Sequence, residues 1–228
     1  MIGMFDSGEG GMNVLRSFRG LCPCEDVIFL RDRARCPYGG KSHRQIVGIC
    51  RENVSYLRSV GADEVLIACC TASAACSGEE WADRRLHPII DPVASAARRA
   101  TENGKIALIA TAATVASGAF DRSLGQLLVR SVACPRLVRM VEGGVKDGIV
   151  GTSDRAEIEY TLLPLSGSGA DTLILGCTHF SSLRETISDI AAKYGINKII
   201  DSATEAARFM ASLVHSDGGR GITYYAST

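Results

Sequence analysis

The sequence predicts an α/β fold of two similar halves, each a mostly parallel sheet flanked by helices, facing one another across a cleft. Three observations carry that expectation. Short apolar runs alternate with longer amphipathic stretches of helical period. A set of motifs occurs twice, in the same order and at a nearly constant offset. The length, 228 residues, suits one large α/β domain or two small ones.

Apolar runs bounded by turn residues give the strands: Ile2–Phe5, Val27–Leu30, Glu64–Cys69, Pro88–Ile90, Lys105–Ala110, Arg136–Met140, Thr172–Leu175 and Asn197–Ile200. Helical patterns fill most of the intervals. In one of them Ile46, Ile49, Cys50, Asn53, Val54 and Leu57 recur at helical spacing. Ser42-x-x-Gln45 is its capping box and Gly61 its stop. Ser182-x-x-Glu185 and Ser202-x-x-Glu205 read as two more capping boxes, and Gly195 as another stop. The tail from Gly218 to Thr228 reads as a flexible end or a partner contact. Strand–helix alternation implies parallel crossovers, and in such sheets ligands bind beyond the carboxyl ends of the strands.

The repeat appears at those ends. Val65-Leu-Ile-Ala-Cys-Cys-Thr71 matches Leu173-Ile-Leu-Gly-Cys-Thr178, with Cys69 and Cys177 108 positions apart. Pro88-Ile-Ile-Asp91 matches Lys198-Ile-Ile-Asp201, and each is followed by an Ala-rich stretch. Ile2–Phe5 with Asp6-Ser7 matches Ile106–Ala110 with Thr111. The expected domains are therefore 1–92 with 201–228, on the Cys69 side, and 93–200, on the Cys177 side. Each half offers one strand-end cysteine to the cleft from opposite sides.

A cysteine that ends a strand and precedes a helix gains thiolate character from the helix N-terminus. Two such thiols flanking a carbon next to a carboxyl group suit a two-base 1,1-proton transfer. One thiolate removes the proton from one face, and the other thiol returns a proton to the opposite face. Asp6, Glu142 and His179 are candidates to tune the thiols. Backbone amides and the hydroxyls of Ser7, Thr71, Thr111, Thr114 and Thr178 are candidates to hold the substrate. Burial of the two cysteines as small core residues, or a redox pair, are the other readings.

The motifs resemble those of the cofactor-independent glutamate racemases in the aspartate/glutamate racemase superfamily. Phe5-Asp-Ser-Gly8 with Gly10-Gly11 is similar to the FDSGxGG of that family. Arg35-Cys-Pro-Tyr-Gly39 with Lys41-Ser42 is similar to R-x-PYG-x-KS, Ala68–Ala74 to ACNTASA, Cys134-Pro135 through Val141-Glu142 to CP…VE, and Gly176–Phe180 to GCTH[YF]. The resemblance implies a pseudo-twofold two-domain α/β fold and interconversion of L- and D-glutamate, supplying D-glutamate for peptidoglycan. It implies neither pyridoxal phosphate nor metal. It implies Cys69 and Cys177 as the proton-transfer thiols, with Asp6, Glu142 and His179 in support. Asp6, Ser7, Pro37, Tyr38, Gly39, Cys70, Thr71, Thr178 and His179 would line the substrate pocket. Cys70 stands where the family has Asn and Ser181 where it has Pro, and the chain is shorter than the family's usual length.

Composition narrows the field further. Lys plus Arg and Asp plus Glu are 25 each, so no basic excess points to nucleic acid. No apolar run approaches the ~20 residues of a membrane span, and the N-terminus has no signal-peptide pattern. Nine cysteines, an odd number, fit free thiols in a reducing cytoplasm better than a disulfide scaffold. Cys22-Pro-Cys24 and Cys36 lack metal-ligand spacing. Gly8-x-Gly10-Gly11 departs from the dinucleotide pattern and reads as a tight turn where backbone meets a small anion. Gly40-Lys41-Ser42 lacks the earlier glycine of a Walker A loop, because position 35 is Arg35. Among five lysines only Lys41 sits where a Schiff base to a cofactor is conceivable, and no cofactor signature surrounds it. His43, His87 and His215 carry no motif and read as surface or capping residues. The expected partner is the small-molecule substrate, glutamate, with a homodimer compatible. Two rival functions stay open: a racemase of the same superfamily acting on aspartate or another carboxylate, and a non-catalytic relative that binds a partner.

Overall fold

In the computed structural model, which describes residues 1–77, 81–145, 150–214 and 219–228, the strands divide between two all-parallel sheets. The first holds β1 (Ile2–Asp6), β2 (Val27–Arg31), β3 (Glu64–Ile67) and β4 (Leu86–Pro88), in the order β4-β3-β1-β2. The second holds β5 (Ile106–Ala110), β6 (Leu128–Ala133), β7 (Thr172–Gly176) and β8 (Lys198–Asp201), in the order β8-β7-β5-β6. The two orders are the same once each strand is matched to its repeat, which accounts for the duplicated motifs. A further strand, β9 (Thr223–Ser227), joins the first sheet beside β2. Phe5 pairs with Ile67 and Ala110 with Gly176, so in each half the residues that follow two neighbouring strands emerge side by side.

The helices make layers. Between the sheets lie α1 (Gly10–Leu21), α4 (Ile90–Ala100), α6 (Ala119–Leu124) and α10 (Ser202–Leu213). Their apolar faces share one core with Met4 and Phe29 of the first sheet and Leu108 and Ile174 of the second. The outer face of the first sheet is covered by α2 (His43–Ser59), which buries Ile46, Ile49, Cys50, Asn53 and Leu57 as the periodicity requires. The outer face of the second is covered by α7 (Pro135–Glu142), α8 (Thr152–Leu162) and α9 (Arg184–Ala192). Two short helices, α3 (Cys70–Ala75) and α5 (Ala112–Ala116), follow β3 and β5 at the strand ends. The inner strands β1, β5 and β7 are fully buried continuous apolar runs, as strands covered on both faces must be. Among the described residues no helix is long and apolar enough to cross a membrane.

Several local expectations are corrected, among them Pro88–Ile90, since β4 is Leu86–Pro88 and Ile90 already begins α4. Arg136–Met140 is not a strand but part of α7: Pro135 presets the first turn, and Leu137, Val138 and Val141 are buried together on one helical face. The strand is β6 instead, whose half-exposed edge position gives it little apolar signal. The box at Ser42 forms in full, but the other two do not. Ser182 lies inside a 3-10 helix, Thr178–Leu183, before α9 begins. At α10 the cap is Asp201, which accepts from Ala203 N–H at 2.8 Å, while the Ser202 hydroxyl donates to the Leu175 carbonyl at 2.6 Å. The tail is β9, held by Arg19, whose guanidinium donates to the Ile222 carbonyl and to Thr223 Oγ1, and by Asp26, which accepts from the Arg220 and Ile222 amides. His43 is exposed at the start of α2, whereas His87 is half-buried and paired with Glu64 at 2.6 Å. His215, Lys146 and Gly218 lie outside the described residues.

Candidate active site

Asp6 ends β1, Cys69 follows β3 and Cys177 follows β7. Each cysteine is the residue immediately before a helix, Cys69 before α3 and Cys177 before the 3-10 helix Thr178–Leu183. Both are 6% exposed, and all nine cysteines are free thiols. Burial is the main reason that both thiols sit well above the ordinary thiol range. Against it, the amides of Ala72 and Thr71 point at the Cys69 sulfur and the amide of His179 at the Cys177 sulfur.

The two thiols differ in what surrounds them. On the Cys177 side, Sγ is 3.5 Å from His179 Nδ1, and His179 Nε2 is 2.5 Å from Glu142 Oε1. The hydrogen bond from His179 holds the Glu142 carboxyl down at about 2, so Glu142 is ionised and can only accept. Nε2 must then carry the proton, and in a neutral ring Nδ1 is left with its lone pair facing the thiol. The other acid–base group is Asp6, which is fully buried and acts on both thiols through its charge. Its Oδ1 accepts from the Gly8 amide at 2.8 Å and its Oδ2 from the Thr178 hydroxyl at 3.1 Å. Burial raises the Asp6 carboxyl above the usual range despite His179 and these donors. The negative charge of Asp6 in turn raises Cys69. The same charge raises Cys177 as well, so Asp6 bears on both thiols.

Glycines bring the halves into contact. A side chain at Gly10 would stand 2.7 Å from both the amide nitrogen and Nδ1 of His179. One at Gly8 would meet Cys36 Sγ at 2.9 Å and overlap Glu142 Oε1. The groups that approach this turn are thus the protein's own: the Glu9 amide donates to Glu142 at 3.0 Å across the interface. One wall of the site is a triangle of buried hydroxyls, Thr71 to Thr111 at 2.9 Å, Thr71 to Thr114 at 3.2 Å and Thr111 to Thr114 at 2.9 Å. Gly39 lies against Thr111. Ser7 Oγ is 4.0 Å from Cys69 Sγ.

Three of the expected lining residues have other primary contacts. Tyr38 is 1% exposed and its phenol donates to Asp32 at 2.5 Å. Asn53 donates to that phenol at 3.1 Å, and Arg35 also binds Asp32. Pro37, joined to Cys36 by a cis peptide bond, leads into that turn. Cys70 is buried in the core between the sheets, with its thiol toward the Ser202 hydroxyl.

The structure also brings in residues that sequence reasoning missed. Asn13 on α1 donates to the Thr178 carbonyl at 2.9 Å and to Ser182 Oγ at 3.2 Å, clamping the Cys177–His179 turn from the other half. Ser181 donates to Asp201 at 2.7 Å, which ties the far side of the same turn to the α10 cap. The Cys36 thiol donates to Glu142 at 3.6 Å, and burial and Glu142 push it up to about 12. These are long-range contacts of single polar residues, and no local pattern announces them. Among the described residues no three His, Cys, Asp or Glu side chains come together as metal ligands.

Comparison with known proteins gives the family and the fold. The profile of the Asp/Glu/hydantoin racemase family matches residues 13–210. A glutamate racemase of Aquifex aeolicus is 36% identical over 98% of this chain and 87% of its own length. The crystal structure of glutamate racemase from Thermus thermophilus in complex with β-chloro-D-alanine superposes with a TM-score of 0.87 at 33% identity, covering 100% of this chain and 87% of that one. That of Francisella tularensis in complex with D-glutamate gives 0.85 at 27%, again over 100% of this chain and 87% of the other.

Proposed function

The chain belongs to the Asp/Glu/hydantoin racemase family, and from that premise we propose that it interconverts L- and D-glutamate with Cys69 and Cys177 as its two bases. The observation that carries the reading is the relay Cys177–His179–Glu142 at one strand end, with Cys69 buried at the matching strand end of the other half and the Asp6 carboxylate acting on both thiols.

Burial favours the protonated form of both thiols, so a thiolate must form during the cycle. On one side His179 Nδ1 takes the Cys177 proton, and the imidazolium is held by ionised Glu142. On the other, Asp6 exchanges a proton with Cys69, whose thiolate is met by two amides. A thiolate removes the α-proton of glutamate, and negative charge moves onto the α-carboxylate. Amides at the strand ends and the hydroxyls of Thr71, Thr111 and Thr114 are placed to donate to that charge. The opposite thiol then gives its proton to the other face, which completes the inversion. The substrate ammonium would sit against Asp6. In the cell the reaction would supply D-glutamate for peptidoglycan, in the cytoplasm. Residues 1–92 with 201–228 and residues 93–200 would be the two domains that close on the substrate.

The test is a cofactor-free chiral assay of the Cys69→Ser and Cys177→Ser variants on both glutamate enantiomers and both aspartate enantiomers. Glutamate turnover by the wild-type protein and its loss in each variant are expected. Full glutamate racemisation by either variant would overturn the two-thiol assignment. Turnover of aspartate alone would move the substrate to a sister specificity.

A further inference from the structure

The reacting groups are shut away: Asp6 is 0% exposed, His179 3% and the two cysteines 6%. A substrate must still reach them. A cleft of about 330 Å³ opens beside the site, walled by Ala75, Ala113 and Ala116, with Lys41 and His43 on its rim and Thr71 at its floor. Thr71 is the floor of the cleft and also a corner of the hydroxyl triangle, so one residue faces both spaces. The cleft runs between α3 of the first half and α5 of the second, and its volume is at the low end of small-molecule sites. We propose that this cleft is the port through which glutamate enters, and that Lys41 at its rim captures the substrate's carboxylate on the way in. The proposal rests on the glutamate reading above.

Charge favours this route. Glutamate carries two carboxylates and one ammonium, and the site it approaches already holds Asp6 and ionised Glu142. Arg31 is engaged with Glu9 and Arg35 with Asp32 and Glu52, and Arg44, exposed on α2, is not part of the cleft lining. Lys41 is half-buried and has no hydrogen-bond or ion-pair partner for its ammonium among the described residues. Its backbone is nonetheless fixed. The Lys41 amide donates to the Tyr38 carbonyl at 3.0 Å, and the next residue, Ser42, is locked in the capping box of α2. A fixed backbone with an unpaired cation at the mouth of an apolar-walled cleft is built to meet an anion in transit. The same lysine is the one the sequence singled out and the proton-transfer chemistry leaves without a task.

The experiment compares Lys41→Gln, Lys41→Arg and Ala116→Trp with the wild-type protein on D- and L-glutamate at low and high salt. Lys41→Gln is expected to lower kcat/KM by about tenfold, the low end for electrostatic steering. The loss should fall on KM, with kcat within about twofold, and should fade near 1 M salt, where the Debye length is about 3 Å. Lys41→Arg should restore most of it. Ala116→Trp, on an exposed position of the wall, should lower kcat/KM at every salt concentration by obstruction. Unchanged KM and salt dependence in Lys41→Gln, a loss confined to kcat, or an unaffected Ala116→Trp would overturn the port. No glutamate turnover by the wild-type protein would instead overturn the substrate reading, and the port's ligand with it.

Discussion

Replacing Gly10 with alanine tests whether the two halves must meet at this turn for the site to work. The added Cβ would lie 2.7 Å from both the amide nitrogen and Nδ1 of His179 and closer still to Thr178 Oγ1, whereas ordinary contacts begin at 3.4 Å, so the Thr178–His179 segment must retreat by at least roughly 0.7 Å. His179 is bound on two sides, to Cys177 at 3.5 Å and to Glu142 at 2.5 Å, and cannot retreat without loosening one of them. A misplacement of about 1 Å at reacting groups can cost about a hundredfold. The expected loss in kcat is therefore about 30-fold, or about 2 kcal/mol of barrier. Overpacking adds a stability loss of about 1–3 kcal/mol. The assay is racemisation by circular dichroism or chiral chromatography, with urea denaturation of the same sample. Gly20→Ala is the control, since nothing lies within 4 Å of a Cβ there. A Gly10→Ala protein whose kcat stays within about threefold of wild type, with Gly20→Ala equally active, would refute the claim that His179 is held by this close approach.

Other outcomes follow from the same geometry. Asn13→Ala removes both side-chain donors that clamp the Thr178 turn, so kcat should drop by about tenfold with KM little changed, and steady-state kinetics will show whether it does. Tyr38→Phe deletes a buried hydrogen bond to the Asp32 carboxylate; urea denaturation should register a loss of about 1.5–3 kcal/mol. Glu142 is held down at about 2 against an ordinary 4.5, so its contribution to stability is complete above pH 4.5 and drains away as pH falls toward 2. Denaturation curves across that window should therefore slope less for Glu142→Gln than for the wild-type protein.

Much of the architecture is written in local patterns. Buried parallel strands such as β1, β5 and β7 are unbroken apolar runs, and the residues that end them, Asp6, Thr111 and Cys177, are visible because the run stops there. The repeat is legible because both halves use the same strand order and place a cysteine at the same strand end. What escapes is what lacks such a pattern. β6 and β9 are half-exposed strands at sheet edges with weak apolar signal. α7 escapes because Arg136–Met140 is short enough to pass for a strand, and only the joint burial of Leu137, Val138 and Val141, one turn apart, reveals a helical face. Ser202 looks like a cap, yet its hydroxyl is drawn to Leu175 and Asp201 caps instead. Within the site, Asp6, Glu142 and His179 could be named from their motifs. Asn13 and Cys36 could not, because their partners lie in the other half of the chain. Tyr38 belongs to a recognisable loop, but its phenol turns to Asp32 and Asn53, a direction only the packing of α2 decides.

The central claim is that two thiols on opposite faces handle two different protons. Its most direct test is to run L-glutamate with the wild-type protein in D2O and stop the reaction at a few per cent conversion. Mass spectrometry after chiral separation then reads deuterium at the α-carbon of each enantiomer. Two bases predict D-glutamate that is almost fully deuterated and remaining L-glutamate that is still protiated, because the donor thiol carries a solvent-derived proton and the acceptor does not return the one it took. Substantial protium in the first D-glutamate formed, or deuterium building up in L-glutamate ahead of inversion, would show a single base serving both faces and contradict the account.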